Sequence, residues 1–310
     1  MISAPAPVIL AYPALKGMEY PRLETQFGIR TADSEAAILA LPAAFRAAVR
    51  VFMTSATRGC SAEIAEALPN LGLVMSQGAG QDKLALKVLA ARGIRVRSVG
   101  EALTEDVADL AFALTQALMR NLLHADAFVR SGAWENGRFE PGESLVGKTM
   151  GIAGLSGRIG QAIARRALAA RMELAALDRS SNHGLGARLF PDFVTLASAS
   201  DVLVLAVPGG SALKHAIGAE ELAALGPKGR LINVGRGDLV DTAALIEALE
   251  AGAIAGAGLD VLEGEPKVPE RLKALPNVVF TPHIGGATYG ARSRGAKIAE
   301  DEILNFLAQL

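Results

Sequence analysis

Three side chains in the last third of the chain, Arg236, Glu265 and His283, could do acid/base chemistry together if the fold made them meet. Each follows an apolar run, in Asn233-Val234-Gly235-Arg236-Gly237-Asp238, Asp260-Val261-Leu262-Glu263-Gly264-Glu265-Pro266 and Thr281-Pro282-His283-Ile284-Gly285-Gly286. A guanidinium between two glycines at a strand end is poorly placed as a merely solvated charge. It is well placed to grip a carboxylate through two parallel N–H donors. An imidazole with a proline before it and glycines after it can be approached closely by a ligand. A carboxylate beside that ring would orient it and favour its protonated form, ready to donate. Glu265, next to Pro266, is preferred for this task over Glu263. The remaining histidines read as surface or packing residues: His124 in a long helical pattern, His183 in a Gly- and Asn-rich loop, His215 in a polar helical stretch.

Three loops so far apart in sequence need an architecture that gathers them, and in an open parallel α/β sheet the loops at the carboxyl ends of the strands converge on one crevice. The chain has the pattern of such sheets. From Val8 to about Val99, apolar runs (residues 8–11, 49–53, 71–75 and 94–96) alternate with helical stretches, and Ser61 and Asp82 are placed to cap two of these. A long helical pattern runs from Thr104, whose side chain can also cap, to Arg130, with Val107, Leu110, Ala111, Leu114 and Leu118 on one face. After a polar stretch from Ser131 to Gly147, a second series of apolar runs begins, at 149–153, 174–177, 201–206, 230–234, 257–260 and 278–280. These runs lack alternation, as strands covered on both faces do. A last helical stretch, from about Tyr289 to Leu310, could cross back to the first unit.

Directly after the run at 149–153 comes Gly154-Leu155-Ser156-Gly157-Arg158-Ile159-Gly160-Gln161-Ala162, followed by helix formers to Arg171. Strand, glycine turn and helix in that order can cradle a dinucleotide pyrophosphate on backbone N–H groups at a positive helix end. The usual spacing is G-x-G-x-x-G, and here the first gap is one residue too wide. Either Leu155 stands at the first glycine position or Ser156 is an insertion. Gly154, Ser156, Gly157, Arg158 and Ile159 are the candidate phosphate contacts. Asp178, at the end of the next apolar run, is where a ribose-binding acid belongs; it favours NAD by repelling a 2′-phosphate. Arg179 and Ser180 could hold that phosphate instead, so NAD is expected first and NADP is the alternative.

At 310 residues, two domains are the default expectation. With 31 basic against 32 acidic residues, no global field attracts nucleic acid or an anionic membrane. The composition is 51% hydrophobic, yet no run approaches a bilayer span without a charge or a breaker. The start, Met1 to Leu10 with Pro5 and Pro7, lacks the basic region of a secretory signal and reads as a first strand. Cys60 is the one cysteine, which rules out an internal disulfide and reads as packing. A small-molecule partner, no nucleic acid, no membrane, no metal and a cytoplasmic location are expected.

These segments, with Gly147-Lys148-Thr149-Met150-Gly151-Ile152 and Gly78-Ala79-Gly80-Gln81-Asp82, resemble the D-isomer-specific 2-hydroxyacid dehydrogenases over essentially the whole chain. The resemblance is strongest in the C-terminal half. It implies that Arg236 binds the carboxylate and carbonyl of a 2-oxoacid, that Glu265 pairs with His283 and that His283 exchanges the proton. It further implies that backbone N–H groups of Gly78, Ala79 and Gly80 hold the substrate carboxylate, and that Asp260 contacts the nicotinamide amide. Val207, Pro208, Val234, Gly235, His283, Gly285 and Gly286 would complete the cofactor site. The expected fold is α/β with two doubly wound domains. One is a flavodoxin-like substrate domain over 1–99 plus 287–310, and the other a Rossmann-type NAD(P) domain over 100–286, with the site in the cleft between them.

Within the family the chain resembles hydroxypyruvate and glyoxylate reductases. Formate dehydrogenase resembles a version with Gln at the Glu265 position, and phosphoglycerate dehydrogenase often carries a further regulatory domain. An NAD-sensing binding protein, like the corepressors of this fold, is the alternative of a different class. The side chains that select the substrate are expected near Ser55-Ala56-Thr57 and around Trp134. A homodimer is expected by analogy, with residues 104–130 as the dimer arm.

Overall fold

The computed structural model describes residues 8–12 and 18–310. Pro5 and Pro7 lie outside the described residues. The chain divides into two compact units, Met1–Leu103 with Gly286–Leu310, and Thr104–Gly285.

In the first unit five parallel strands, β1 (Val8–Tyr12), β2 (Ile29–Thr31), β3 (Val49–Thr54), β4 (Leu73–Ser76) and β5 (Arg95–Ser98), lie in the order β2-β1-β3-β4-β5. That is the flavodoxin-like order. Successive side chains point to opposite faces of a strand, and here both faces are covered. Leu10, Phe52 and Val74 enter a core with Ile38, Ile64 and Leu89. Ile9, Val51, Met53, Leu73 and Met75 enter the opposite one, which the final helix, Tyr289–Leu307, completes with Ala296, Ala299, Ile303 and Phe306. Thr288 caps that helix by accepting the Ala291 N–H. From the same helix the buried Glu300 accepts the N–H groups of Arg22 (2.7 Å) and Leu23 (3.2 Å), at the start of the helix Pro21–Gln26.

In the second unit seven parallel strands, β6 (Thr149–Ala153), β7 (Glu173–Leu177), β8 (Arg188–Phe190), β9 (Val202–Leu205), β10 (Arg230–Asn233), β11 (Gly256–Leu259) and β12 (Val278–Phe280), lie in the order β12-β11-β10-β9-β6-β7-β8. The order reverses between β6 and β9, the switch point of a Rossmann sheet. One face carries a single large core including Ala175, Leu203, Leu205, Leu231 and Leu259. On the other the helix Thr104–Met119 packs closely, because β11 contributes glycine there. A Cβ at Gly258 would lie 3.1 Å from Leu114 Cβ and 3.0 Å from Ile232 Cδ1.

Several local expectations need correction. β2 and β8 do not appear among the apolar runs, because both are three-residue edge strands without fully buried side chains. Ser61 caps its helix by accepting the Ile64 N–H, but Asp82 does not cap the next one, which starts only at Leu86 after a turn and has no side-chain cap. Thr104 does not cap either: a 3-10 turn, Gly100–Leu103, leads into its helix, and the buried Thr104 hydroxyl finds no partner. The pattern from 104 to 130 is two helices, Thr104–Met119 and Leu122–Arg130, broken at Asn121, whose φ of +48° a short polar side chain tolerates. His215 is not helical; it follows the 3-10 turn Ser211–Leu213 with a φ of +54°.

Candidate active site

Parallel pairing sets Asn233, Leu259 and Phe280 in one row at the carboxyl ends of β10, β11 and β12. Arg236, Glu265 and His283 follow in the three loops that leave this row. After β10 the buried Asn233 builds the turn, accepting the Gly235 N–H (3.1 Å) and donating to the Arg236 carbonyl (2.8 Å). The Arg236 guanidinium donates to the Gly235 carbonyl (2.7 Å), and its stem passes over Gly209, where a Cβ would lie 2.8 Å from Arg236 Cγ. Gly237 rests on the next loop. A Cβ there would overlap the Leu262 carbonyl group, so only glycine lets the Arg236 loop touch the segment that leads to Glu265.

Glu265 Oε1 lies 2.6 Å from His283 Nδ1, and Oε2 accepts the Leu262 N–H at 3.2 Å. The ring is thereby fixed through Nδ1. Both side chains are partly exposed, with 42% of His283 and 37% of Glu265 accessible, so a small molecule could reach the pair. His283 has a φ of +53°, a conformation that costs a non-glycine residue roughly 1–3 kcal/mol and that surrounding structure must enforce. Asp260 enforces it. Its carbonyl accepts the His283 N–H (2.9 Å), and its buried carboxylate accepts the Thr281 hydroxyl (2.6 Å) and the N–H groups of Ile284 (2.8 Å) and Gly285 (2.9 Å).

Glu263 faces away from this pair. It meets His215 Nε2 at 2.9 Å and accepts the Thr242 hydroxyl at 3.3 Å, and the imidazole holds its carboxyl below the usual carboxylate range. His215 also donates its N–H to the Asp238 carbonyl (2.8 Å), so one residue ties the loops after β9, β10 and β11 together. The sequence reading missed both His215 and the bracing role of Asp260. The adjacent Arg236 and Glu265 loops were the signal available for the first; nothing local announces the second.

After β6, Gly154 takes a φ of +96°, and a Cβ there would lie 2.8 Å from the Ala206 carbonyl oxygen. Gly154 is therefore the turn glycine, and Leu155 points into the core. The extra residue is absorbed in a turn closed by the Gly157 N–H on the Gly154 carbonyl (3.0 Å). Ser156 donates its N–H to Asn182 Oδ1 (3.0 Å) and its hydroxyl to Ser181 (3.1 Å). Gly157 opens the helix Arg158–Ala169 without a side-chain cap or an acidic residue in the first turn, Arg158 and Ile159 being its first residues. Uncapped N–H groups at a helix start fit a pyrophosphate. Val207 and Pro208 leave β9 beside this turn, and Val234 and Gly235 leave β10; a Cβ at Gly235 would lie 2.7 Å from the Val207 carbonyl oxygen.

Asp178 stands at the tip of β7, where a ribose would be held, with its Oδ1 2.7 Å from His183 Nε2. Arg179 and Ser180 are exposed beside it. In the first unit, Gly78, Ala79 and Gly80 form the loop after β4, and the Ser55–Thr57 loop packs on it: a Cβ at Gly78 would lie 2.7 Å from Ala56 Cβ. Gly285 closes the second unit and Gly286 opens the returning segment of the first. Cys60 is buried, and burial pushes its thiol up to about 12, so it is no nucleophile. Among the described residues no group of three or more His, Cys, Asp or Glu could hold a metal ion, and no helix is long and apolar enough to cross a membrane.

Known proteins resemble this chain in sequence and fold. Residues 112–285 match the model of the D-isomer specific 2-hydroxyacid dehydrogenase NAD binding domain. The chain is 43% identical to a glyoxylate/hydroxypyruvate reductase of Arabidopsis thaliana over 253 residues, 82% of this chain and 80% of that protein. It is 41% identical to a 2-ketogluconate reductase of Gluconobacter oxydans over 259 residues, 84% of this chain and 83% of that one. Among solved structures, the NADPH-dependent glyoxylate/hydroxypyruvate reductase of Sinorhizobium meliloti, in complex with NADP and malonate, superposes with a TM-score of 0.88 at 39% identity, covering 97% of this chain and 93% of that one. A family model spanning more than half of the chain, and relatives this similar over four fifths of it, agree with the strand order and the glycine turn: the chain belongs to the D-isomer-specific 2-hydroxyacid dehydrogenases.

Proposed function

We propose that this protein reduces a small 2-oxoacid, glyoxylate or hydroxypyruvate first among them, to the D-2-hydroxyacid, with Arg236, Glu265 and His283 as its catalytic residues. The observation that carries the reading is the hydrogen bond between His283 Nδ1, as donor, and Glu265 Oε1, which leaves Nε2 as the ring nitrogen for a reactant. A nicotinamide cofactor, NADH or NADPH, supplies the hydride when bound. His283 gives its Nε2 proton to the carbonyl oxygen, and Glu265 stabilises the charge on the ring before transfer. Arg236 anchors the substrate carboxylate and draws electron density from the carbonyl. The N–H groups of Gly78, Ala79 and Gly80 are assigned to the same carboxylate. Gly154, Ser156, Gly157, Arg158 and Ile159 form the pyrophosphate turn, although the Ser156 N–H is already given to Asn182. Val207, Pro208, Val234, Gly235, Asp260, Gly285 and Gly286 border the nicotinamide half.

The relatives are named as reductases, and none of those compared supports a binding-only role. The test is oxidation of NADH or NADPH by the purified protein with glyoxylate, hydroxypyruvate, pyruvate and an arylpyruvate. Turnover by His283→Ala at the parent rate would refute the mechanism.

A homodimer and a cytoplasmic location belong to the same proposal. Leu122, Leu123, Val129, Trp134 and Val146 are each more than half exposed between 122 and 146, apolar side chains that a second copy would cover. Light scattering of the purified protein decides the mass.

A further inference from the structure

We infer that His183 is a specificity-determining residue of the cofactor site, one that converts an NAD-type ribose acid into a pocket for the 2′-phosphate of NADP(H). The inference rests on the cofactor reading above. Alone at the tip of β7, the Asp178 carboxylate would accept ribose hydroxyls and repel a phosphate dianion. It is not alone. Asp178 Oδ1 lies 2.7 Å from His183 Nε2, so the imidazole occupies an acceptor that a ribose would use and, when protonated, cancels the charge that excludes a phosphate. Arg179 and Ser180, between the two, then add a cation and a hydroxyl donor without opposition from Asp178.

The placement of His183 is built into the turn. The 3-10 turn Ser180–Asn182 closes with the Asn182 N–H on the Arg179 carbonyl (2.8 Å) and the His183 N–H on the Ser180 carbonyl (3.3 Å). Asn182 is buried and pinned at both ends of its amide: Nδ2 donates to the Leu177 carbonyl (2.9 Å) and Oδ1 accepts from Ser156 (3.0 Å). Gly184, with a φ of +78°, then turns the chain back. The histidine is thus held beside Asp178 by a folded segment that is itself locked to the pyrophosphate turn. The residue inserted at Ser156 serves as that lock.

Two probes that lack the nicotinamide separate this from the chemistry: ADP-ribose and 2′-phospho-ADP-ribose, titrated by calorimetry into the full-length protein. His183→Ala should weaken 2′-phospho-ADP-ribose about tenfold and leave ADP-ribose within about twofold, the order expected for one charge in partly aqueous surroundings. Replacing Asp178 by Asn in the His183→Ala background should recover most of the loss, because the unshielded carboxylate is then gone. Equal losses for both probes, no loss for either, or failure of the double variant to recover would each overturn the inference. If neither probe bound the parent, the cofactor reading would fall, and this inference with it.

Discussion

The backbone N–H of His283 donates to the carbonyl of Asp260 at 2.9 Å, so the histidine proposed to carry the proton is held by a residue whose carboxylate its ring never meets. That carboxylate is spent on the loop's other side, on Thr281, Ile284 and Gly285.

Asp260→Ala leaves one hydroxyl and two N–H donors without an acceptor. A loss of about 2 kcal/mol in folding stability is expected, since an abandoned buried donor such as the Gly285 N–H costs about 1 kcal/mol or more and the half-buried Thr281 and Ile284 donors cost less. Denaturant unfolding followed by circular dichroism measures it. An unchanged midpoint would mean that the loop finds other acceptors.

Glu265→Gln keeps the shape of the side chain and removes its charge. The kcat for oxoacid reduction should fall on the order of a hundredfold, with KM changed far less, because the carboxylate acts on the imidazolium rather than on the substrate. Steady-state kinetics with hydroxypyruvate reads the split. A rise in KM alone would make Glu265 a substrate-binding residue instead.

Glu263 contributes to the pH dependence of stability. Its folded pKa is lowered by His215, so the contribution is present above the ordinary value of 4.5 and is lost as pH falls through the lower folded value. Melting temperatures of the parent and of Glu263→Gln should therefore converge on acidification below that ordinary value. A gap that stays constant through the acid range would contradict the pairing.

Cys60 should resist alkylation by iodoacetamide in the folded protein at pH 8 and react fully in denaturant, because burial holds its thiol neutral up to about 12. The sign on stability follows. With the folded pKa above the ordinary 9.0, the thiol's contribution is complete below 9.0 and is lost as pH rises toward about 12. Mass spectrometry of the alkylated protein checks the first statement, and Cys60→Ala, which should flatten the alkaline loss, checks the second.

The sheets were legible in the sequence because parallel strands covered on both faces leave unbroken apolar runs, as at 174–177 and 202–205. β2 and β8 were not, because a three-residue edge strand needs little apolar content to pair. The loops carrying Arg236, Glu265 and His283 could be named from residue type and position, since charge set between glycines and prolines after a strand is rare without a purpose. What each side chain grips could not. Asp82, Thr104 and Asp260 are all small polar residues near a turn, and only the folded backbone decides that Asp260 gathers three donors while the Thr104 hydroxyl gathers none. His183 and His215 illustrate the same limit: each meets a carboxylate that only backbone turns bring within reach.

The final helix, Tyr289–Leu307, supplies Ala299, Ile303 and Phe306 to a core whose other walls are Ile9, Val51 and Met75. Translation therefore produces the first unit in two instalments, separated by the whole of Thr104–Gly285. The middle unit is contiguous and can fold while the ribosome is still working. The N-terminal sheet must wait, with that face covered only in part by Tyr20 and Leu23, until Tyr289–Leu307 emerges. A nonsense codon ahead of Tyr289 would leave part of that face open, a species that chaperones and proteases would meet before any substrate did.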